Sequence, residues 1–123
     1  MIEKIRRIRS FGPYANFDWP IALCQLKRLN IFYGWNYSGK TMLSRILRCF
    51  ESKVMHPDFP IAQAQIDCTG GSSYQLSALD TPLEIRVFNS DFVRENLKFE
   101  NGSAAPVLIL GALEAVMNFP LKF

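Results

Sequence analysis

The chain is poor in the side chains that build metal clusters and disulfide frameworks. It has one histidine, His56, and three cysteines, at positions 24, 49 and 68, with no C-x-x-C spacing among them. Neither a zinc cluster nor a disulfide scaffold is suggested, and a reducing compartment is expected. Long hydrophobic runs are missing too. The longest apolar stretch, Val107 to Met117, is broken by Gly111 and Glu114 and is too short to span a bilayer. The basic start of the chain lacks the apolar core of an export signal. No internal repeat and no low-complexity linker occurs. The expectation is a cytoplasmic protein with no membrane partner.

What is present suits one modest globular core. Of 123 residues, 49% are hydrophobic and 20% charged, which argues against disorder. Net charge is +3, with Lys4, Arg6, Arg7 and Arg9 set among Ile2, Ile5 and Ile8. Two readings of this cluster are open, the solvated face of a first strand or hairpin and a weak nucleic-acid contact. No aromatic-basic recognition motif accompanies it.

The strongest signal is Gly34-Trp35-Asn36-Tyr37-Ser38-Gly39-Lys40-Thr41, which fits G-x-x-x-x-G-K-[ST] at every fixed position. A triphosphate is held best by backbone N–H groups at a helix N-terminus, where unpaired donors and the helix dipole both favour anions. Gly34 and Gly39 allow the sharp turn and the close approach. Lys40 can reach the β and γ phosphates as a point charge, and the Thr41 hydroxyl is placed to ligate a bridging Mg²⁺. The context agrees. Leu29-Asn30-Ile31-Phe32-Tyr33 reads as a short buried strand, and Leu43, Ile46, Leu47 and Phe50 recur at helical spacing with Arg45, Arg48 and Glu51 opposite. The candidate site for ATP is Gly34, Trp35, Asn36, Tyr37, Ser38, Gly39, Lys40, Thr41 and Met42, with Mg²⁺ on Thr41.

Elsewhere the pattern is strand-rich. Met1 to Ser10 and part of Phe17 to Leu26 read as strands about a Phe11-Gly12-Pro13-Tyr14 turn. A helix is predicted from Thr41 to about Lys53, ended by His56-Pro57-Asp58-Phe59-Pro60. Ala62 to Asp67 and Ser73 to Ser77 flank a hairpin connection at Thr69-Gly70-Gly71-Ser72. Glu84 to Asn89 reads as a further strand, with Ser90 capping a short helix through Leu97. His56, before a proline, reads as a surface turn.

The run from Ile31 through Thr41, followed by Leu43-Ser44-Arg45-Ile46-Leu47, resembles P-loop ATPases of the ABC and structural-maintenance-of-chromosomes type. Within that group it is most similar to the ATPase region of bacterial anticodon nucleases, the wobble-nucleotide-excising tRNases. Val87-Phe88-Asn89-Ser90-Asp91-Phe92-Val93-Arg94-Glu95-Asn96-Leu97 is similar to a second stretch of those proteins. The resemblance spans roughly residues 2–111, departing at Tyr37, where many relatives have glycine, and at Met42, where threonine is frequent. It implies an α/β fold, the first lobe of an ABC-type P-loop NTPase with a strand-rich start and one P-loop helix, and an incomplete domain. Residues 1–111 are then the N-terminal portion of the ATPase domain, and 112–123 an apolar tail outside the match. It also implies a Mg²⁺ contact at Asn89; the other reading has Asn89 and Asp91 make a turn and cap a helix. An adenine-stacking ring among Phe11, Tyr14 and Phe17 stands against a core role.

Hydrolysis in that class also needs an apolar strand ending in Asp-Glu, a signature loop and a switch histidine, and none is in this sequence. Residues 107–110 are apolar but end in Gly111, and Glu114 has no preceding aspartate. No nuclease constellation is recognisable. The expectation is ATP and Mg²⁺ binding without turnover by this chain alone, completed by a C-terminal half or a protein partner. Any tRNA or DNA contact, and a role in antiphage defence, belongs to the full-length relatives. The rivals are a vestigial interaction protein pairing with an intact homologue and a small P-loop kinase; Arg45, Arg48 and Arg94 follow no lid pattern.

Overall fold

Ile2, Ile5, Ile8 and Phe11 recur every third residue, a spacing that places them on one face of neither a helix nor a regular strand. The computed structural model, which describes residues 1–96, resolves this with β-bulges. Strand β1 (Ile2–Phe11) runs antiparallel to β3 (Gln63–Cys68), with Ile2 opposite Cys68, Lys4 opposite Asp67, Ile5 opposite Ile66, Arg7 opposite Gln65 and Ile8 opposite Ala64. Glu3 and Arg6 are therefore inserted residues, and each insertion resets the pleat. Ile5 and Ile8 consequently share one buried face with Ile66 and Ala64. The backbone carbonyls of the inserted residues are also satisfied: Leu26 N–H donates to Glu3 O at 2.8 Å and Trp19 N–H to Arg6 O at 2.9 Å.

Two hairpins complete the sheet. Strand β2 (Tyr14–Asp18) returns along β1 after the Gly12-Pro13 turn, and β4 (Ser73–Gln75) returns along β3 after a 3-10 turn at Thr69–Gly71. The order is β2-β1-β3-β4, antiparallel throughout. Both predicted hairpins are present, although β2 begins before Phe17 and stops at Asp18.

Helix α1 (Lys40–Ser52) buries Ile46, Cys49 and Phe50 in one cluster with Ile5, Ile8, Phe11, Ala62, Ala64, Ile66 and Leu76. It ends on Lys53, in the left-handed region at φ 59, several residues before Pro57. Lys53 Nζ then donates to Thr81 Oγ1 at 3.1 Å and Leu83 O at 2.9 Å. Glu51 Oε2 accepts from Arg48 at 2.7 Å and from Val87 N–H at 3.2 Å. The polar side of the helix thus anchors the segment that follows β4.

The chain divides into two compact units, Met1–Val87 and Phe88–Phe123, the second described only through residue 96. It contains α2 (Ser90–Asn96). The expectations at Leu97, at residues 107–111 and 114, and for the tail 112–123 lie outside the described residues.

Two predicted strands need correction. Residues 29–33 form no strand, and their side chains face solvent, Leu29 at 83%, Ile31 at 82% and Tyr33 at 93% exposure. Residues 84–89 form none either, though exposure alternates along the segment as in an extended chain. Apolar and β-branched content makes a run competent for a ladder, but a strand exists only when a neighbour supplies the other half of its hydrogen bonds. Neither run is paired in the sheet. The helix cap also differs, since Asn89 and not Ser90 caps α2, its Oδ1 accepting from Phe92 N–H at 2.9 Å.

The basic cluster on β1 is partly neutralised. Arg9 Nη2 donates to Asp18 at 2.8 and 3.0 Å, and Arg6 Nε donates to Asp67 Oδ2 at 2.7 Å. This pairing favours the solvated-face reading over a nucleic-acid contact. Asp67 is only 9% exposed and also accepts from Ser73 Oγ at 3.0 Å. Burial, the largest single influence, opposes its ionisation. The hydrogen bonds from Arg6 and Ser73 and the charges of Arg6 and Lys4 together outweigh burial and hold the carboxyl below its ordinary value.

A folded-state value below the unfolded one stabilises the fold above the ordinary carboxylate value of about 3.9, and the stabilisation is lost as pH falls through the folded value. Thermal melts between about pH 6 and pH 2 should therefore show an acid limb that Asp67→Asn makes shallower while lowering the melt at pH 6. An unaltered limb would remove Asp67 from the account. The exposed run at 29–33 should also drive self-association. Sedimentation velocity should show concentration-dependent species, and a monodisperse monomer at high concentration would contradict this.

Candidate functional site

The loop that precedes α1 is shaped by short local ties. Ser38 N–H donates to Trp35 O at 3.1 Å, closing a turn in which Tyr37 sits at φ 65. A residue with a Cβ thus holds a left-handed conformation that glycine enters freely, at the position where the resembling loops commonly have glycine. Gly39 follows at φ 98, buried, as the N-cap of α1, and its carbonyl accepts the first helical bond from Leu43 N–H at 2.9 Å.

Lys40 is the first residue of α1, and its side chain runs back over the loop. Its Nζ donates to Gly34 O at 2.6 Å and to Trp35 O at 2.8 Å, with Ser38 Oγ at 3.5 Å. One ammonium therefore ties the start of the loop to the head of the helix. The first amides of α1 have no carbonyl partner within the helix, and no acidic residue stands in its first turn. Positive charge, oriented amides and the helix dipole meet at one point.

Beside them lies a cleft of about 500 Å³ lined by Pro13, Asn36, Tyr37, Gly39, Lys40, Thr41 and Met42. The predicted site residues are thus brought together, Gly34, Trp35 and Ser38 through their bonds to Lys40 and the others as cleft walls. Trp35 and Tyr37 are exposed, and Met42 is half-buried. Asn89, the second Mg²⁺ candidate, belongs to the other unit and has its Oδ1 on the Phe92 amide, the turn-and-cap role.

Sequence reasoning overlooked Pro13 of the β1–β2 hairpin and weighed Tyr14 only as a stacking or core ring, not as a hydroxyl on the loop. Pro13 lines the cleft, and Tyr14 Oη donates to Gly39 O at 3.3 Å. Burial pushes the Tyr14 phenol above its ordinary value. The Gly12-Pro13 pair signalled a turn, but nothing in the sequence says that the turn reaches the loop. Phe11, another stacking candidate, is fully buried, with its ring centroid 4.5 Å from that of Phe59 and 5.8 Å from that of His56. His56 is half-buried against these rings, and its Nδ1 accepts from Asp58 N–H at 3.2 Å. Cys49 and Cys68 are buried, which pushes both thiols up, and Cys24 is exposed. Among the described residues no group of three or more His, Cys, Asp or Glu side chains is arranged to hold a metal, and no helix is long and apolar enough to cross a membrane.

A lysine that reaches from the first helical turn back across its own glycine-bounded loop is the arrangement of a P-loop ATPase-like domain. Residues 11–118 match the family model described as an AAA domain. That is most of the chain, and the chain belongs to this family. AAA ATPases use ATP with Mg²⁺. No curated protein and no solved structure matches the chain.

The two loop glycines should respond unequally to alanine. A Cβ on Gly39 would stand 2.8 Å from Tyr14 Cζ and Oη while φ stays at 98, so Gly39→Ala should cost at least about 1–2 kcal/mol. A Cβ on Gly34 would meet Ser38 Oγ at 2.7 Å, the end of a side chain that can rotate away, so Gly34→Ala should stay within about 0.5 kcal/mol. Urea denaturation of both variants reads the difference, and equal losses would contradict the geometry.

Proposed function

We propose that the cleft at the head of α1 binds ATP with Mg²⁺, as the N-terminal half of an ABC-type ATPase domain. The observation that carries this reading is Lys40 strapped onto Gly34 O and Trp35 O beside the free amides of the first helical turn. The residues fit the group. Lys40 is the one charged side chain among the described residues that line the cleft, and Gly39 stands where a side chain would crowd the Tyr14 ring. The loop amides hold the phosphates, Lys40 meets the β and γ oxygens, and the Thr41 hydroxyl ligates Mg²⁺.

Turnover requires an acid, a signature loop and a switch residue from further polypeptide or from a partner. The exposed apolar run at residues 29–33 supports this reading, because strand-competent sequence left unpaired among the described residues is what half of a sheet presents. The resemblance to anticodon nucleases then suggests that the ATPase region, in a full-length cytoplasmic protein, controls a separate tRNA-cutting domain in antiphage defence. Contact with tRNA belongs to that larger protein.

Equilibrium titration of a fluorescent ATP analogue with Mg²⁺ should show saturable binding that Lys40→Ala weakens about 10- to 100-fold, the worth of a charged hydrogen-bond donor. Mg²⁺-ATP should also raise the thermal midpoint of the unmutated chain. Phosphate release should be absent from both samples. Turnover by this chain alone would point to a complete small enzyme, and a lack of binding would leave the non-catalytic interaction protein.

A further inference from the structure

The loop motif begins at Gly34, yet the side chain lying against its last glycine comes from β2. Tyr14 opens that strand directly after the Gly12-Pro13 turn, paired with Phe11. Phe17 stands edge-on to its ring with the centroids 5.9 Å apart. The phenol end lies against Gly39, its Cζ, Oη and Cε2 within 2.8–2.9 Å of where a Cβ would stand.

The carbonyl of Gly39 therefore accepts twice, from Leu43 N–H at 2.9 Å and from Tyr14 Oη at 3.3 Å, as two lone pairs allow. A trans peptide is planar, and its N–H points opposite its C=O. Two donors that fix the Gly39 carbonyl thus fix the N–H of Lys40, which leaves the head of the helix on the side where an anion would sit.

The geometry points to Tyr14 as a positioning residue for phosphate binding: it sets the plane of the peptide between Gly39 and Lys40 and so pre-orients the first amide of α1. The inference rests on the nucleotide reading for the identity of the anion; control of the peptide plane is a property of the ligand-free chain. An amide already aimed at its ligand loses little free energy to ordering when the ligand arrives.

The test uses the full chain and the variants Tyr14→Phe, which keeps the ring, and Tyr14→Leu, which removes it. Affinities for inorganic tripolyphosphate and for Mg²⁺-ATP should fall together in Tyr14→Phe by about 3- to 10-fold, the worth of one neutral hydrogen bond. The thermal midpoint should fall by only a few degrees, because the same bond is present without ligand. Tyr14→Leu should lose more toward both ligands. In the ligand-free protein, amide exchange at Leu43 should be faster in Tyr14→Phe, because the shared acceptor has been released. Weaker ATP binding with tripolyphosphate unaffected would make Tyr14 a base platform and overturn the proposal. Unchanged Leu43 exchange would overturn it as well. If the unmutated chain binds neither anion, the nucleotide reading fails, and Leu43 exchange alone still decides whether Tyr14 holds the peptide.

Discussion

The described fold depends on burial of one face of α1 against the bulged face of β1 and β3. Phe50 and Ile46 are fully buried there with Ile8, Phe11 and Ile66. Each such side chain contributes about 1.5–3 kcal/mol relative to exposure, and together they fix where the helix lies. The loop from Gly34 to Gly39 has little structure of its own beyond one turn. Its geometry is inherited from the docked helix and the β1–β2 hairpin, which meet at Gly39, and from Lys40, which reaches back to Gly34 and Trp35.

The site is held by polar ties that each join two elements. Lys40 joins the helix head to the loop start, and Tyr14 joins the hairpin to the loop end. At the other end of α1, Glu51 and Lys53 hold the chain between Thr81 and Val87. Such ties cost little in this setting because the helix is already anchored by its core face. They also join the loop to anchored elements at both of its ends.

Local chemistry was legible wherever a residue type dictates its own backbone. The Gly12-Pro13 and Gly70-Gly71 turns, the amphipathic pattern of α1 and the loop motif could all be read directly. The period-three apolar pattern of β1 was not, because its meaning depends on bulges that exist only opposite β3. Residues 29–33 and 84–89 were read as strands from composition, but pairing is a property of two segments. Ser90 and Asn89 are both good caps; which one serves was settled by where the chain enters α2.

The sequence by itself determined that a loop of the phosphate-binding pattern precedes an amphipathic helix, because glycine, lysine and threonine at fixed spacing are read directly from the chain. Only the tertiary structure decided what surrounds that loop: Pro13 at the cleft wall, Tyr14 on the Gly39 carbonyl, and Arg6 neutralised by Asp67. The reason is distance along the chain. Tyr14 and Gly39 lie 25 residues apart, and Arg6 and Asp67 lie 61 apart, so their meeting is fixed by strand register and helix docking, which no local pattern encodes.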